Sequence, residues 1–281
     1  MKHTLLILSF LAAVQVDGAE MMPAGNLVMP LLLQFDGGQE GSGFYFRDGS
    51  NSAYIVTAKH VIYDGKKFYG DEFHVFGYSK GGLESTNRYH NIVNLAALQA
   101  DQLVRLHPTH DIAICKIGTV VTNASGQMVL VTQNKYFRRI DTPPGGELEV
   151  APETVTRLKD VPIGNEVYIF GYPSSIGMQQ VPQIEYEKPL LRRGIVAGRN
   201  FQAHTLILDC PVYYGNSGGP VMVVNPIGFG GSEFKVVGVV TQFVPFVDEW
   251  KNTKHGYTNI YIQNSGYSVA EPMDVVVDLC W

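Results

Sequence analysis

Three short segments carry residues whose chemistry is complementary. A serine hydroxyl is a poor nucleophile until a base takes its proton, and that base needs an acid partner to fix its tautomer and stabilise its charged form. The base stands in Tyr54-Ile55-Val56-Thr57-Ala58-Lys59-His60-Val61, a β-rich run ending in a histidine. The acid stands in His110-Asp111-Ile112-Ala113-Ile114, where Asp111 opens an apolar strand. The hydroxyl stands in Gly215-Asn216-Ser217-Gly218-Gly219-Pro220, whose glycines permit a turn that gathers backbone N–H groups around a reacting carbonyl oxygen. The first two patterns alone are commonplace, since a histidine after an apolar strand is more often structural and Asp before an apolar run is frequent, whereas the glycine hexapeptide is the more specific of the three, its alternative being a glycine-rich turn with no chemistry. Together, in the order His60, Asp111, Ser217, they point to acyl transfer through a serine nucleophile. An esterase built on an α/β sheet would place its serine before its histidine, and here Ser217 comes last.

Many short strands must hold these residues. Apolar runs bounded by turn residues recur at 27–35, 43–46, 53–57, 73–76 and 112–117, and a second set follows at 167–170, 194–196, 205–208, 221–224 and 236–241. Thirty glycines and fifteen prolines punctuate them. The class expected is all-β, and the two groups of strands suggest two barrels, one over about 25–120 and one over about 161–270. Between them, about 118–160, the run Thr142-Pro143-Pro144-Gly145-Gly146 suits a linker with an insertion. Pro272 beside Glu271 and Asp274 marks the start of a short terminal helix over about 271–280.

At 45% hydrophobic and 17% charged residues, with a net charge of −5, the chain has the composition of a soluble globular protein. No basic stripe of the kind a phosphate backbone attracts is present, and Arg138-Arg139 and Arg192-Arg193 read as solvated surface; nucleic acid is not an expected partner. Met1-Lys2-His3 followed by an apolar run to Val14 reads as a signal peptide over 1–19, closed by Gly18 and Ala19. That implies a secreted or periplasmic protein with its mature domain over 20–281, and no later segment is long and apolar enough to span a membrane. Cys115, Cys210 and Cys280 allow at most one internal disulfide, and Cys115 reads as a small buried hydrophobe.

The three motifs resemble the signature blocks of trypsin-like, chymotrypsin-fold serine proteases. The likeness is greatest to the protease domain of the bacterial HtrA/Deg family, without a PDZ domain, because Asn216 precedes the serine and Gly41-Ser42-Gly43-Phe44 precedes the histidine strand. Weaker matches at 163–167, 170–173, 193–196 and 237–241 extend it over most of the chain beyond residue 25. The resemblance implies two six-stranded antiparallel β-barrels and an endopeptidase acting on proteins or peptides, with Ser217 as nucleophile, His60 as general base and then acid, and Asp111 orienting His60. It also implies an oxyanion hole from the Gly215 and Ser217 N–H groups, and a Thr241 hydroxyl reaching Asp111. No cofactor or metal is implied, and no oligomeric state follows.

Two departures separate the chain from digestive relatives, in which an aspartate before the nucleophile binds a newly cut N-terminus. Here that residue is Asn216, and no Ile-Val-Gly-Gly start appears, so activity without zymogen cleavage is expected. By position relative to Ser217, the substrate pocket would be lined by Pro211, Val212, Tyr213 and Tyr214 with a wall of Thr241, Gln242 and Phe243. None is acidic, which disfavours a buried Lys or Arg side chain and points to small or medium apolar residues before the cut bond. A binding protein that has lost turnover is the competing reading, and it usually shows a replaced triad member, which this chain does not.

Overall fold

A computed structural model describes residues 29–78, 88–141, 149–174, 181–185, 187–227 and 231–280. The expected signal peptide lies outside the described residues. Sixteen strands build two β units among them.

In the first unit, β1 (Pro30–Gln34), β2 (Glu40–Arg47), β3 (Ser52–Ala58), β4 (Glu72–Tyr78), β5 (Arg88–Asn94) and β7 (Ile112–Thr122) run in the spatial order β7-β3-β2-β1-β4-β5. These are six antiparallel strands, as expected for the first barrel, but four more extend them into a ten-stranded sheet. The additions are β6 (Val104–Leu106) and β8 (Met128–Thr132) on β7, β9 (Phe137–Arg139) on β5, and β10 (Glu149–Val150), which pairs parallel with β2. Much of the segment read as linker and insertion is therefore drawn into this sheet. Its β-branched run Val129-Leu130-Val131-Thr132 pairs with β7 instead of crossing open.

The second unit is a closed six-stranded barrel in the order β11-β12-β13-β16-β15-β14. Its strands are β11 (Glu166–Gly171), β12 (Leu190–Asn200), β13 (Thr205–Asp209), β14 (Pro220–Ile227), β15 (Gly231–Asn252) and β16 (Tyr257–Pro272). The last two are long, and from Pro245↔Asn264 to Asn252↔Tyr257 they pair beyond the barrel as a two-stranded ribbon. Phe246, Trp250, Ile260 and Tyr261 are exposed along it.

Alternation along the central strands assigns side chains to two cores. Odd residues Ala53 and Ile55 of β3 face the interior of the first unit, while Tyr54 and Val56 join a cluster with Phe170, Met222 and Val239 of the barrel. Phe44 and Phe46 of β2, and Ile112 and Ile114 of β7, turn to that same cluster. Every residue of β3 is buried because apolar layers cover both of its faces. The short terminal helix α3 (Met273–Leu279) inserts Met273, Val275 and Val276 into this layer, so the two units share a continuous apolar contact. Two smaller helices, α1 (Lys59–Ile62) and α2 (Leu95–Ala100), cap the first unit. Cys115, Cys210 and Cys280 are free thiols, and burial pushes the Cys115 and Cys280 thiols up to about 12 and that of Cys210 to about 11.

Candidate active site

The pairing register of β3 with β7 brings His60 to Asp111. Ala58 lies opposite Ile112, so the residue that opens β7 and the turn that ends β3 face each other. Lys59 N–H donates to the Asp111 carbonyl at 3.0 Å, which starts α1 at that point and turns His60 back toward the aspartate. Both carboxylate oxygens of Asp111 then serve His60. Oδ1 accepts from the His60 backbone N–H at 3.0 Å, and Oδ2 lies 2.6 Å from Nδ1. This contact fixes the imidazole with Nδ1 against the carboxylate and leaves Nε2 for a reacting group.

Ser217 comes from the loop between β13 and β14, on the far side of the shared apolar layer. Three contacts bring the loop to the first unit. Ser42 N–H donates to the Ser217 carbonyl at 2.8 Å. The Ser42 hydroxyl donates to the Gly215 carbonyl at 2.6 Å and accepts from Tyr172 N–H at 2.9 Å. Gly218, at φ +88°, is pressed so closely on β3 that a β-carbon there would lie 2.0 Å from the Ser42 carbonyl and 2.3 Å from Thr57 Oγ1. Ser217 is thereby held next to the end of β3, two residues before His60. Its Oγ makes no hydrogen bond among the described residues.

The loop is also braced from within. Asn216 is fully buried, its N–H donates to the Tyr213 carbonyl at 3.0 Å, and its Oδ1 accepts from Tyr213 N–H at 3.0 Å. Gly219 N–H returns to the Asn216 carbonyl, and Gly218 N–H and the Gly219 carbonyl pair with Val240. Gly215, at φ +87°, passes so close to Tyr172 that a side chain would strike its carbonyl at 2.1 Å. The N–H groups of Gly215 and Ser217, on either side of the tied Asn216, have no hydrogen-bond partner among the described residues. Backbone donors left unpaired in a turn are of the kind that can receive a developing negative charge.

Residues 41–225 match the family model of the trypsin-like peptidase domain, a span that contains His60, Asp111 and Ser217. The chain belongs to the trypsin-like peptidase family. Similar solved structures include the HtrA-type protease AlgW with a tripeptide, 15% identical at a TM-score of 0.45, covering 91% of this chain and 59% of that one. Another is the protease Anisep from Arthrobacter nicotinovorans, 15% identical at a TM-score of 0.44, covering 87% of this chain and 89% of that one. The chain thus spans 59% of the length of the HtrA-type chain. No curated protein sequence matches it.

One expected partner of this trypsin-like site is elsewhere. Thr241 does not reach Asp111; its hydroxyl donates to the Val269 carbonyl at 3.4 Å. The cause is local, because the β15–β16 register shifts between Val240 and Gln242, making Thr241 the bulged residue and aiming it at β16. Sequence reasoning missed what stands near Asp111 instead. Glu271 Oε2 lies 2.7 Å from His110 Nδ1, and Oε1 accepts a longer 3.4 Å contact from Asp111 N–H. Glu271 had been read as the opening acid of the terminal helix, yet β16 runs through Pro272 and the helix starts at Met273. A carboxylate within the apolar stretch Val269-Ala270-Glu271-Pro272-Met273 was the available signal.

Of the expected pocket residues, Val212 is buried, with its carbonyl accepting from Asn264 Nδ2 at 2.6 Å, and Gln242 is exposed. Tyr214 is largely exposed and meets Phe243 edge to face at 5.9 Å, while Phe243 itself packs on the barrel core. Pro211 and Tyr213 are partly open to solvent. Arg192, read from sequence as solvated surface, is half-buried with its guanidinium 4.4 Å over the Tyr213 ring. No group of three or more His, Cys, Asp or Glu side chains placed to hold a metal ion occurs among the described residues. No helix among them is long and apolar enough to cross a membrane.

Proposed function

We propose that the chain is a serine endopeptidase acting on proteins or peptides through Ser217, His60 and Asp111. The observation that carries this reading is the two-point hold of Asp111 on His60 beside a loop that presents Ser217 with two unpaired N–H groups. Ser217 Oγ attacks the carbonyl carbon as His60 Nε2 takes its proton, and Asp111 Oδ2 holds Nδ1–H and stabilises the imidazolium. The Gly215 and Ser217 N–H groups donate to the oxyanion. Collapse expels the amine, which takes the proton from His60 and leaves an acyl-enzyme. Water then gives its proton to the same histidine, attacks the ester, and frees Ser217.

Two finer features belong to this reading. Activity needs no zymogen cleavage, because Asn216 carries no charge for a new N-terminus to pair with and its Oδ1 accepts from Tyr213 N–H inside its own loop. Small or medium apolar side chains are accepted before the cut bond, since Phe243 narrows the wall and the Arg192 cation beside Tyr213 repels lysine and arginine. The positive tip and apolar run of residues 1–19 support export to the periplasm or the cell exterior.

Labelling with a fluorophosphonate probe tests the central claim. The unprocessed mature chain is expected to label, and Ser217→Ala is expected to lose the label while staying folded. Folded wild type that takes no Ser217-dependent label would instead favour a binding protein that keeps the fold without turnover.

A further inference from the structure

Behind the expected triad lies a second titratable group that the proposed reaction does not use. His110, the residue before Asp111, points away from His60 and toward β16, where its Nδ1 meets Glu271 Oε2 at 2.7 Å. Glu271 is only 7% exposed and has no other side-chain partner among the described residues. Its second oxygen takes the 3.4 Å contact from Asp111 N–H, so one carboxylate spans the His110 side chain and the Asp111 backbone.

The neighbours of His110 define what it can do. His107 stacks edge to face on it at 4.7 Å and His204, from the turn between β12 and β13, at 5.9 Å. His107 Nδ1 accepts from the N–H groups of Thr109 and His110, at 3.3 and 2.9 Å, which requires a neutral ring. Burial first, and then the nearby His110, push the His107 pKa down; Lys59 adds to this and Asp278 of α3 opposes it. With His107 committed to backbone amides, His110 is the group that answers the buried Glu271 charge.

We propose that Glu271, braced by His110, is a positioning residue that sets the aim of Asp111 on His60, the role that the family resemblance implies for Thr241. A carboxylate this buried holds its place only with its donors present. Those donors belong to two consecutive residues, so the bridge pins the peptide unit from which the Asp111 side chain departs. Asp111 in turn has both oxygens engaged by His60, and a small rotation at Asp111 would break one of the two contacts. The proposal rests on the triad reading for its catalytic consequence but not for its structural one.

Glu271→Ala, Glu271→Gln and His110→Ala, each checked for cooperative unfolding, test it by peptide hydrolysis and by the low-field proton resonance of His60 Nδ1–H. Glu271→Ala and His110→Ala are expected to lower kcat ~10–100-fold with KM nearly unchanged, and to shift or broaden the resonance. Glu271→Gln keeps an oxygen acceptor for Asp111 N–H and is expected to recover kcat to within about fivefold of wild type. Wild-type kcat and an unmoved resonance in either folded alanine variant overturn the proposal. If wild type shows no Ser217-dependent labelling, the protease reading falls while the resonance still decides the positioning claim.

Discussion

The Ser42 hydroxyl and the Gly215 carbonyl are joined by a 2.6 Å hydrogen bond that runs from β2 of the first unit to the Ser217 loop of the second. The same oxygen accepts from Tyr172 N–H, so one fully buried hydroxyl ties β2, the end of β11 and the loop together. Gly215 sits in the left-handed region, and its N–H is one of the two free donors. The Gly215 carbonyl shares its peptide plane with Asn216 N–H, so the Ser42 bond anchors one peptide beside the Gly215 α-carbon, while the Tyr214 carbonyl, accepting from Ser174 N–H at 2.8 Å, anchors the other, which carries the Gly215 N–H.

Ser42→Ala is expected to leave the Gly215 carbonyl and the Tyr172 N–H buried without their partner. The loss of stability should be about 1–3 kcal/mol. Activity should suffer more than stability alone explains, with kcat falling roughly 10–100-fold as one oxyanion donor loosens. Chemical denaturation and peptide hydrolysis on the same preparation separate the two effects. An active variant with wild-type kcat would show that the loop holds Gly215 without help from β2.

Two glycines in the left-handed region separate backbone strain from close approach. A β-carbon on Gly126 meets nothing within 4 Å, whereas one on Gly218 strikes the Ser42 carbonyl, Thr57 Oγ1 and Ala58 N. Gly126→Ala should therefore cost only the conformational penalty, about 1–2 kcal/mol, with activity retained. Gly218→Ala carries the same penalty and must also push the loop off β3, so a loss above ~3 kcal/mol, or failure to fold, is expected. Thermal unfolding of the pair checks this, and equal losses would mean that the loop does not lean on β3.

The meeting of His60 with Asp111 was legible in the sequence because each sits in a local motif whose residues also build the turn that presents it. The all-β class was legible for a similar reason, since β3 and the start of β7 are short continuous apolar runs, the pattern of strands buried on both faces. The bracing of Asp111 was not legible. His110 and Glu271 are 161 positions apart, and their meeting depends on β16 running two residues past the apparent helix start. Thr241 was misassigned because one bulge, invisible in residue types, reversed where its hydroxyl points. Ser42 was visible as a motif letter, but its hydrogen bonds to Gly215 and Tyr172 exist only once the two units meet.

Acid should weaken the fold through two partly buried imidazoles. Burial first, then the nearby His110, lower the pKa of His107, and burial first, then His74, lower that of His90. Both groups thus bind protons more readily in the unfolded chain than in the folded one, and stability rises with pH wherever that holds. Their contribution is fully present above the unfolded value of about 6.5 and is lost as pH falls through and below it. His107→Asn removes one of the two titrations while its Oδ1 can still accept from the Thr109 and His110 N–H groups. Melting temperatures at pH 7.5 and pH 5 should therefore differ less in this variant than in wild type. An equal drop in both would show that acid lability comes from other groups and that His107 is not held neutral by its burial.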